Sequence, residues 1–283
     1  MTTLQCIDQP HEHLIASLDK GVLTLAINRP STKNALYKEL YLWIAKAIDD
    51  ADASDDVRVI ILRGAEQDFT AGNDMQDFLQ SIEKPLEGLA GDEPPFVLLK
   101  AVARFSKPFI VAVKGVAIGI GVTLLLHADL AYADESAVFQ LPFVSLGLSP
   151  EGAAGKLLVE QLGYHRAAEL LLTAEKFDAH TAEKYGLINQ VFAEDNVRAP
   201  YHLMALGDKN AYGYAETTAQ KLAQLPIASL KLSKALMKKD VASILEHIDI
   251  EAEIFMDRVK SPELKEAVQA FLEKRNPDFS QFN

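Results

Sequence analysis

Apolar positions along the chain switch between a period of two and a period near 3.6, and each switch marks an element. His13 to Asp19 and Gly21 to Asn28 read as two strands around a Lys20-Gly21 turn. The second carries the run Val22-Leu23-Thr24-Leu25-Ala26-Ile27, and Asn28-Arg29-Pro30 breaks it. Leu36, Leu40, Ile44, Ala45 and Ile48 recur at helical spacing, which predicts a helix from Ala35 to about Asp52 with Asn34 as its cap. Val57 to Leu62 is almost continuously apolar, the pattern of a strand buried on both faces. Residues 76–96 contain Gly88, Gly91, Pro94 and Pro95 and read as a long irregular stretch of the functional or mobile kind. A helix up to Phe105, a strand from Phe109 to Val113 and an apolar helix from about Ile120 follow.

Strands alternating with helices predict an α/β body with a largely parallel sheet and right-handed crossovers. From Tyr164 the pattern turns mostly helical, with only Leu187 to Phe192 reading as strand. Everything after about Gly213 is helical, ending with Pro262 to Arg275. The chain therefore divides into a core over residues 1–195 and a helical region over 213–283. Residues 193–212 fit neither part well, and 196–212 read as an insertion.

A length of 283 residues is ample for one large core. The formal charge of −12 argues against nucleic acid or an anionic membrane as the main partner, although a local basic pocket can still take an anionic ligand. Cys6 is the lone cysteine, so no intrachain disulfide can form, which fits a reducing compartment. Its ordinary reading is an incidental thiol near the N-terminus. Asp8, Glu12 and Asp19 interrupt the first twenty residues, which have no signal-peptide core. No apolar run approaches the roughly 20 residues of a bilayer span, and Ser280-Gln281-Phe282-Asn283 is not a peroxisomal address. The expected location is the cytoplasm.

Candidate chemistry concentrates in two glycine turns and one acid. Phe69-Thr70-Ala71-Gly72-Asn73-Asp74-Met75 places a turn after a strand, and Gly119-Ile120-Gly121 opens the apolar helix. Such turns are ordinary strand-to-helix punctuation. They also expose unpaired N–H groups at a helix start, and two of these aimed at one carbonyl oxygen make an oxyanion hole. Glu151, in Ser149-Pro150-Glu151-Gly152, has two readings as well. It can be the first-turn acid of a helix capped by Ser149, or a general base whose carboxyl rises in pKa if it faces an apolar cavity. His127 ends a buried helix and reads as a satisfied core histidine. No His-Glu-x-x-His or paired cysteine–histidine spacing occurs, so no metal is expected. The chain also lacks the G-x-S-x-G elbow and the G-x-G-x-x-G fingerprint, which weakens hydrolase and dinucleotide readings.

At these residues the chain resembles the crotonase (enoyl-CoA hydratase/isomerase) superfamily, from about His13 to Phe279. The likeness includes Asn28-Arg29-Pro30 followed by Asn34-Ala35-Leu36, Phe69 to Met75, Lys107-Pro108 to Gly121, and Phe271-Leu272-Glu273-Lys274-Arg275. It implies a crotonase (ClpP/crotonase-like) fold, with a ββα superhelical core and a C-terminal helical region for oligomerisation. A homotrimer or dimer of trimers is the implied assembly. The implied substrate is an acyl-CoA, with no separate cofactor.

Within that resemblance, hydratases use two glutamates. This chain has Thr123 at one position and Phe143, after Pro142, at the other. Ser149-Pro150-Glu151-Gly152 instead looks like the signature of the peroxisomal-type Δ3,Δ2-enoyl-CoA isomerases. The resemblance implies that the N–H groups of Asn73 and Ile120 hold the thioester carbonyl and that Glu151 shuttles a proton from C2 to C4. It places coenzyme A near Lys33 and the backbone of Ala71, Gly72, Asp74 and Met75, and counts Gly119 and Phe143 among the substrate-binding residues. Lys274 is implied to reach a coenzyme A phosphate on a neighbouring subunit. Lys33 and Lys274 read equally as solvated surface charges. Competing readings are a hydratase, an aroyl-CoA dehalogenase-like reaction at the same acid, and a non-catalytic acyl-CoA-binding subunit.

Overall fold

The computed structural model describes residues 4–82, 88–193, 210–238 and 240–282. Its strands are β1 (Leu14–Asp19), β2 (Val22–Ile27), β3 (Val59–Gly64), β4 (Phe109–Val113), β5 (Val116–Ile118), β6 (Leu130–Asp134), β7 (Val138–Gln140), β8 (Phe177–Asp178) and β9 (Gln190–Phe192). β1 and β2 form an antiparallel hairpin. Lys20 and Gly21 both have positive φ, as the tight two-residue turn between them requires. From β2 onward the main sheet is parallel, in the order β1-β2-β3-β4-β6-β9.

Both faces of this sheet are covered, which explains the continuous apolar runs of β3 and β4. On one face, helix Lys38–Ala53 buries Leu40, Tyr41, Ile44, Ala45 and Ile48 and packs against helix Pro94–Arg104. On the other, Ala211, Ala215, Ala219 and Ala223 form a small-residue stripe of helix Ala211–Gln224. That stripe lies over Val59, Ile61, Ile110 and Ala112. Helix Val241–Val259 returns to the first face, where the Phe255 ring meets Phe96 edge-on at 5.8 Å between centroids.

A second, smaller sheet has the order β5-β7-β8, and the Gly119 turn follows its strand β5. Single parallel bridges extend its ladder: Thr70 pairs with Ala117, and Leu36 with Asn73.

Several local expectations are corrected. Asn34 does not cap a helix. It sits in the left-handed region at φ 58°, and the helix begins three residues after Ala35, at Lys38. Its side chain accepts from the Arg29 N–H at 2.7 Å and donates to the Asp68 carbonyl at 2.6 Å. One nearby and one distant backbone group thus engage the amide that local pattern assigned to a cap. The strand expected at 57–62 runs from Val59 to Gly64. The stretch 76–96 is not irregular throughout, because Asp74 caps helix Met75–Ile82 and a second helix begins at Pro94. The helix from Ile120 has one α turn, Ile120–Thr123, and continues as a 3-10 turn to His127. Residues 196–209 of the insertion expected at 196–212 lie outside the described residues, and the helical region starts at Ala211. No helix among the described residues is long and apolar enough to cross a membrane.

Candidate active site

The first turn is built by hydrogen bonds that converge on Thr70 to Asp74. The Thr70 hydroxyl donates to the Asn34 carbonyl at 2.7 Å and accepts from the Gly72 N–H at 3.1 Å. The Ala71 N–H donates to the Lys33 carbonyl at 2.9 Å. Asp74 is buried, ion-paired with Arg29, and accepts from the N–H groups of Gln76 and Asp77 at 2.9 and 3.1 Å. Burial opposes ionisation of Asp74, but these partners outweigh it and hold the carboxyl below its ordinary value.

The second turn lies directly beside the first. The Ile118 N–H donates to the Thr70 carbonyl at 3.1 Å, and the Gly119 N–H donates to the Gln140 carbonyl at 2.9 Å. Two glycines permit the approach. A Cβ on Gly72 would stand 2.7 Å from the Ile118 oxygen, and one on Gly121 would stand 2.8 Å from Thr70 Cγ2. Gly119, at φ 56° and ψ −115°, faces open space, with nothing within 4 Å of where its Cβ would lie. Among the described residues, neither the Asn73 N–H nor the Ile120 N–H has an acceptor. Two adjacent backbone turns therefore each present an unpaired donor, the requirement for holding a developing oxyanion.

Glu151 is only 3% exposed. The helix-start reading of this residue is corrected: Gly152 and Ala153 both take positive φ, and the helix runs from Ala154 to Leu162. Ser149 is no cap either, since its buried hydroxyl has no partner. Glu151 Oε1 accepts from the Thr123 hydroxyl at 2.7 Å, and Oε2 has no partner. Burial pushes the carboxyl up to about 8, the Thr123 hydrogen bond opposes the rise, and the charge of Glu251 adds to it. Thr123 lies one turn after Ile120, so the carboxyl is tied to the element that begins at the second candidate donor.

Two residues that sequence reasoning did not assign, Tyr41 and Glu251, complete the site together with His127, which was expected to be a satisfied core histidine but has no partner at Nδ1 among the described residues. Tyr41 is fully buried and its hydroxyl donates to the Asn73 side-chain oxygen. Its phenol is raised by burial and then by the nearby Glu151 charge. His127 is pushed down to about 3 by burial, hence neutral, and its Nε2–H donates to the Gly152 carbonyl at 2.8 Å. Glu251 accepts from the Ala154 and Gly155 N–H groups at 3.2 and 2.9 Å. No local signal marks Tyr41 or Glu251, which occupy positions on apolar helix faces.

Phe143, 5% exposed, belongs to the main core cluster, as do Ile120 and Leu99. Met75 packs against the same cluster. Lys33 is exposed beside the first turn. Lys274 is exposed beyond helix Pro262–Glu273, and no hydrogen bond or ion pair ties it to the site among the described residues.

The enzyme class follows from comparison with known proteins. The model of the enoyl-CoA hydratase/isomerase family matches residues 17–282. The chain belongs to the enoyl-CoA hydratase/isomerase family. It is an acyl-CoA enzyme with the crotonase fold. A protein from Acinetobacter baumannii, described as a candidate enoyl-CoA hydratase/isomerase, has 63% identity and a TM-score of 0.84, over 92% of this chain and 99% of that one. The 2,3-dehydroadipyl-CoA hydratase of Escherichia coli is 30% identical over 94% of this chain and 98% of its own length. Enoyl-CoA delta isomerase 2 of Rattus norvegicus is also 30% identical, over 94% of this chain and 65% of its own length. A hydratase and an isomerase are thus equally similar, and the reaction must be argued from the side chains.

Proposed function

We propose that this family member is a Δ3,Δ2-enoyl-CoA isomerase with Glu151 as its single proton shuttle. The observation that carries the reading is the state of Glu151: a buried carboxyl, raised in pKa, with one oxygen held by Thr123 and the other without a partner. A base with a higher pKa is better matched to a carbon acid, and the second oxygen carries no competing hydrogen bond among the described residues.

In the proposed reaction the thioester oxygen of a 3-enoyl-CoA accepts from the Asn73 and Ile120 N–H groups. Glu151, ionised, takes the proton from C2. The electron pair left behind forms a dienolate whose charge rests on the thioester oxygen. The carboxyl then returns its proton to C4, and the double bond moves from C3 to C2. No water is consumed, so one acid–base group is sufficient. Hydration needs a second group to activate water. At the positions where the resemblance puts hydratase acids, this chain has Thr123, engaged with Glu151, and the buried Phe143. The coenzyme A moiety is proposed to run past Lys33 and the backbone of Ala71 to Met75. The helical region is proposed to make the trimer contacts, with Lys274 serving a neighbouring subunit.

The direct test is a side-by-side assay of 2-enoyl-, 3-enoyl- and aroyl-CoA substrates. Turnover confined to the 3-enoyl thioester is expected. Faster hydration of the 2-enoyl thioester, or dehalogenation, would replace this reading, and acyl-CoA binding without turnover would reduce the protein to a carrier.

The Thr123 hydrogen bond makes a second prediction. Because that bond holds the Glu151 pKa down, Thr123→Val should raise it further. The rise of kcat/KM with pH, set by ionisation of the base, should move to higher pH in this variant. A pH profile that stays in place would remove Thr123 from the mechanism.

A further inference from the structure

We infer that Glu251, on the C-terminal helix Val241–Val259, is a positioning residue for the reaction proposed above, holding the turn that aims Glu151. This inference rests on Glu151 being the base. The turn Glu151–Ala153 leads directly into helix Ala154–Leu162, whose first N–H groups have no intrahelical acceptor. Glu251 supplies one from a distant element. Its Oε2 accepts from Ala154 and its Oε1 from Gly155. The seat is close, because a Cβ on Gly155 would stand 3.0 Å from Glu251 Oε1.

Placement of the turn is otherwise shared by two residues of the Ile120–His127 segment. Thr123 holds the Glu151 side chain and His127 holds the Gly152 carbonyl. Glu251 is the anchor from the helical region, so the orientation of the base depends on the packing of that region. Phe255, one helical turn later, locks this helix against Phe96.

The titratable groups facing Glu251 are Glu151 from the turn and His247 from its own helix, with His247 Nε2 3.5 Å from Glu251 Oε1. Burial raises the Glu251 carboxyl as well, while the Gly155 and Ala154 N–H bonds and the neighbouring His247 oppose that rise; once ionised, Glu251 disfavours a negative Glu151. Glu251 thereby does two things: it fixes the turn, and it keeps the carboxyl opposite it a stronger base.

Glu251→Gln keeps the shape, removes the charge and sets an NH2 group against one of the two amides. The expected result is a fall in kcat of about ten- to a hundredfold with KM little changed, as for a misplaced catalytic group. Its pH profile should move to lower pH, the opposite direction from Thr123→Val. An unchanged profile, or a loss confined to thermal stability, overturns the inference. If Glu251→Gln does not fold, Glu251→Asp carries the test. It retains the charge but withdraws the carboxylate by one methylene, so kcat should fall while the pH midpoint holds; wild-type kcat would overturn the inference. Full activity of Glu151→Gln would instead sink the proposed function, so the two failures are distinguishable.

Discussion

Glu151→Gln is expected to lower 3-enoyl-CoA isomerisation by about 10²–10⁴ in kcat while leaving acyl-CoA binding largely intact, the usual loss when a general acid–base group is removed. Glutamine keeps the size and can still accept from the Thr123 hydroxyl, but it cannot take a proton. The buried His127, neutral and engaged with the Gly152 carbonyl, is no substitute. Tyr41 is no substitute either, because its hydroxyl is committed to Asn73 and its phenol is raised well above the ordinary value. Full isomerase activity in the variant would falsify the mechanism.

The same substitution has a stability signature with a definite sign. Folding raises the Glu151 pKa from 4.5 to about 8. The folded state therefore favours the protonated carboxyl, and wild-type stability is penalised as pH rises from about 4.5 through about 8. Glutamine pays no such penalty, so its advantage over glutamate should grow across that window by up to about 1.4 kcal/mol per pH unit. Denaturant unfolding of both proteins at pH 5, 7 and 9 measures it. A constant difference would mean that Glu151 is not desolvated in the folded protein. Loss of activity together with a gain of stability marks a functional group held at a cost to the fold, and a structural carboxylate would behave oppositely.

The largely parallel sheet, its opening hairpin and both turns were legible in the sequence because their signals are local. A hairpin turn with two positive-φ positions, alternating strand and helix periods, and glycines next to apolar runs each lie within a few residues. Glu151 was legible as the lone acid among small neighbours. The misreadings have one physical origin. Asn34 and Ser149-Pro150-Glu151 carry good local helix-start chemistry, yet distant groups determine their conformations. Asn34 is claimed by Asp68, and Glu151 by Thr123. Glu251 was invisible for the same reason, since its amide partners lie 97 and 96 residues away. Tyr41 repeats at the spacing of Leu40, Ile44 and Ile48, and its hydroxyl acquires meaning only when the first turn folds against it.

Ile120→Pro is expected to cost about 10²–10³ in kcat, the loss of about 3–4 kcal/mol seen when one oxyanion donor is removed. Proline deletes the N–H and nothing else on the backbone. Position 120 is the first residue of its helical turn, where proline's fixed φ is tolerated, and the preceding Gly119 has no Cβ for the ring to meet. The buried Ile120 side chain is the complication, because proline fills less of its space. Ile120→Val separates the two effects: it keeps the donor, loses one methylene and should cost about 0.5–1.5 kcal/mol of stability with turnover preserved. Asn73→Ala gives the same contrast at the other donor. It retains the N–H, so turnover should fall little, but it strands the buried Tyr41 hydroxyl at a cost of about 1–3 kcal/mol in stability. If Ile120→Pro folds and turns over normally, the carbonyl is held elsewhere. If Ile120→Val and Asn73→Ala instead lose activity as the proline variant does, side chains rather than backbone donors make the site.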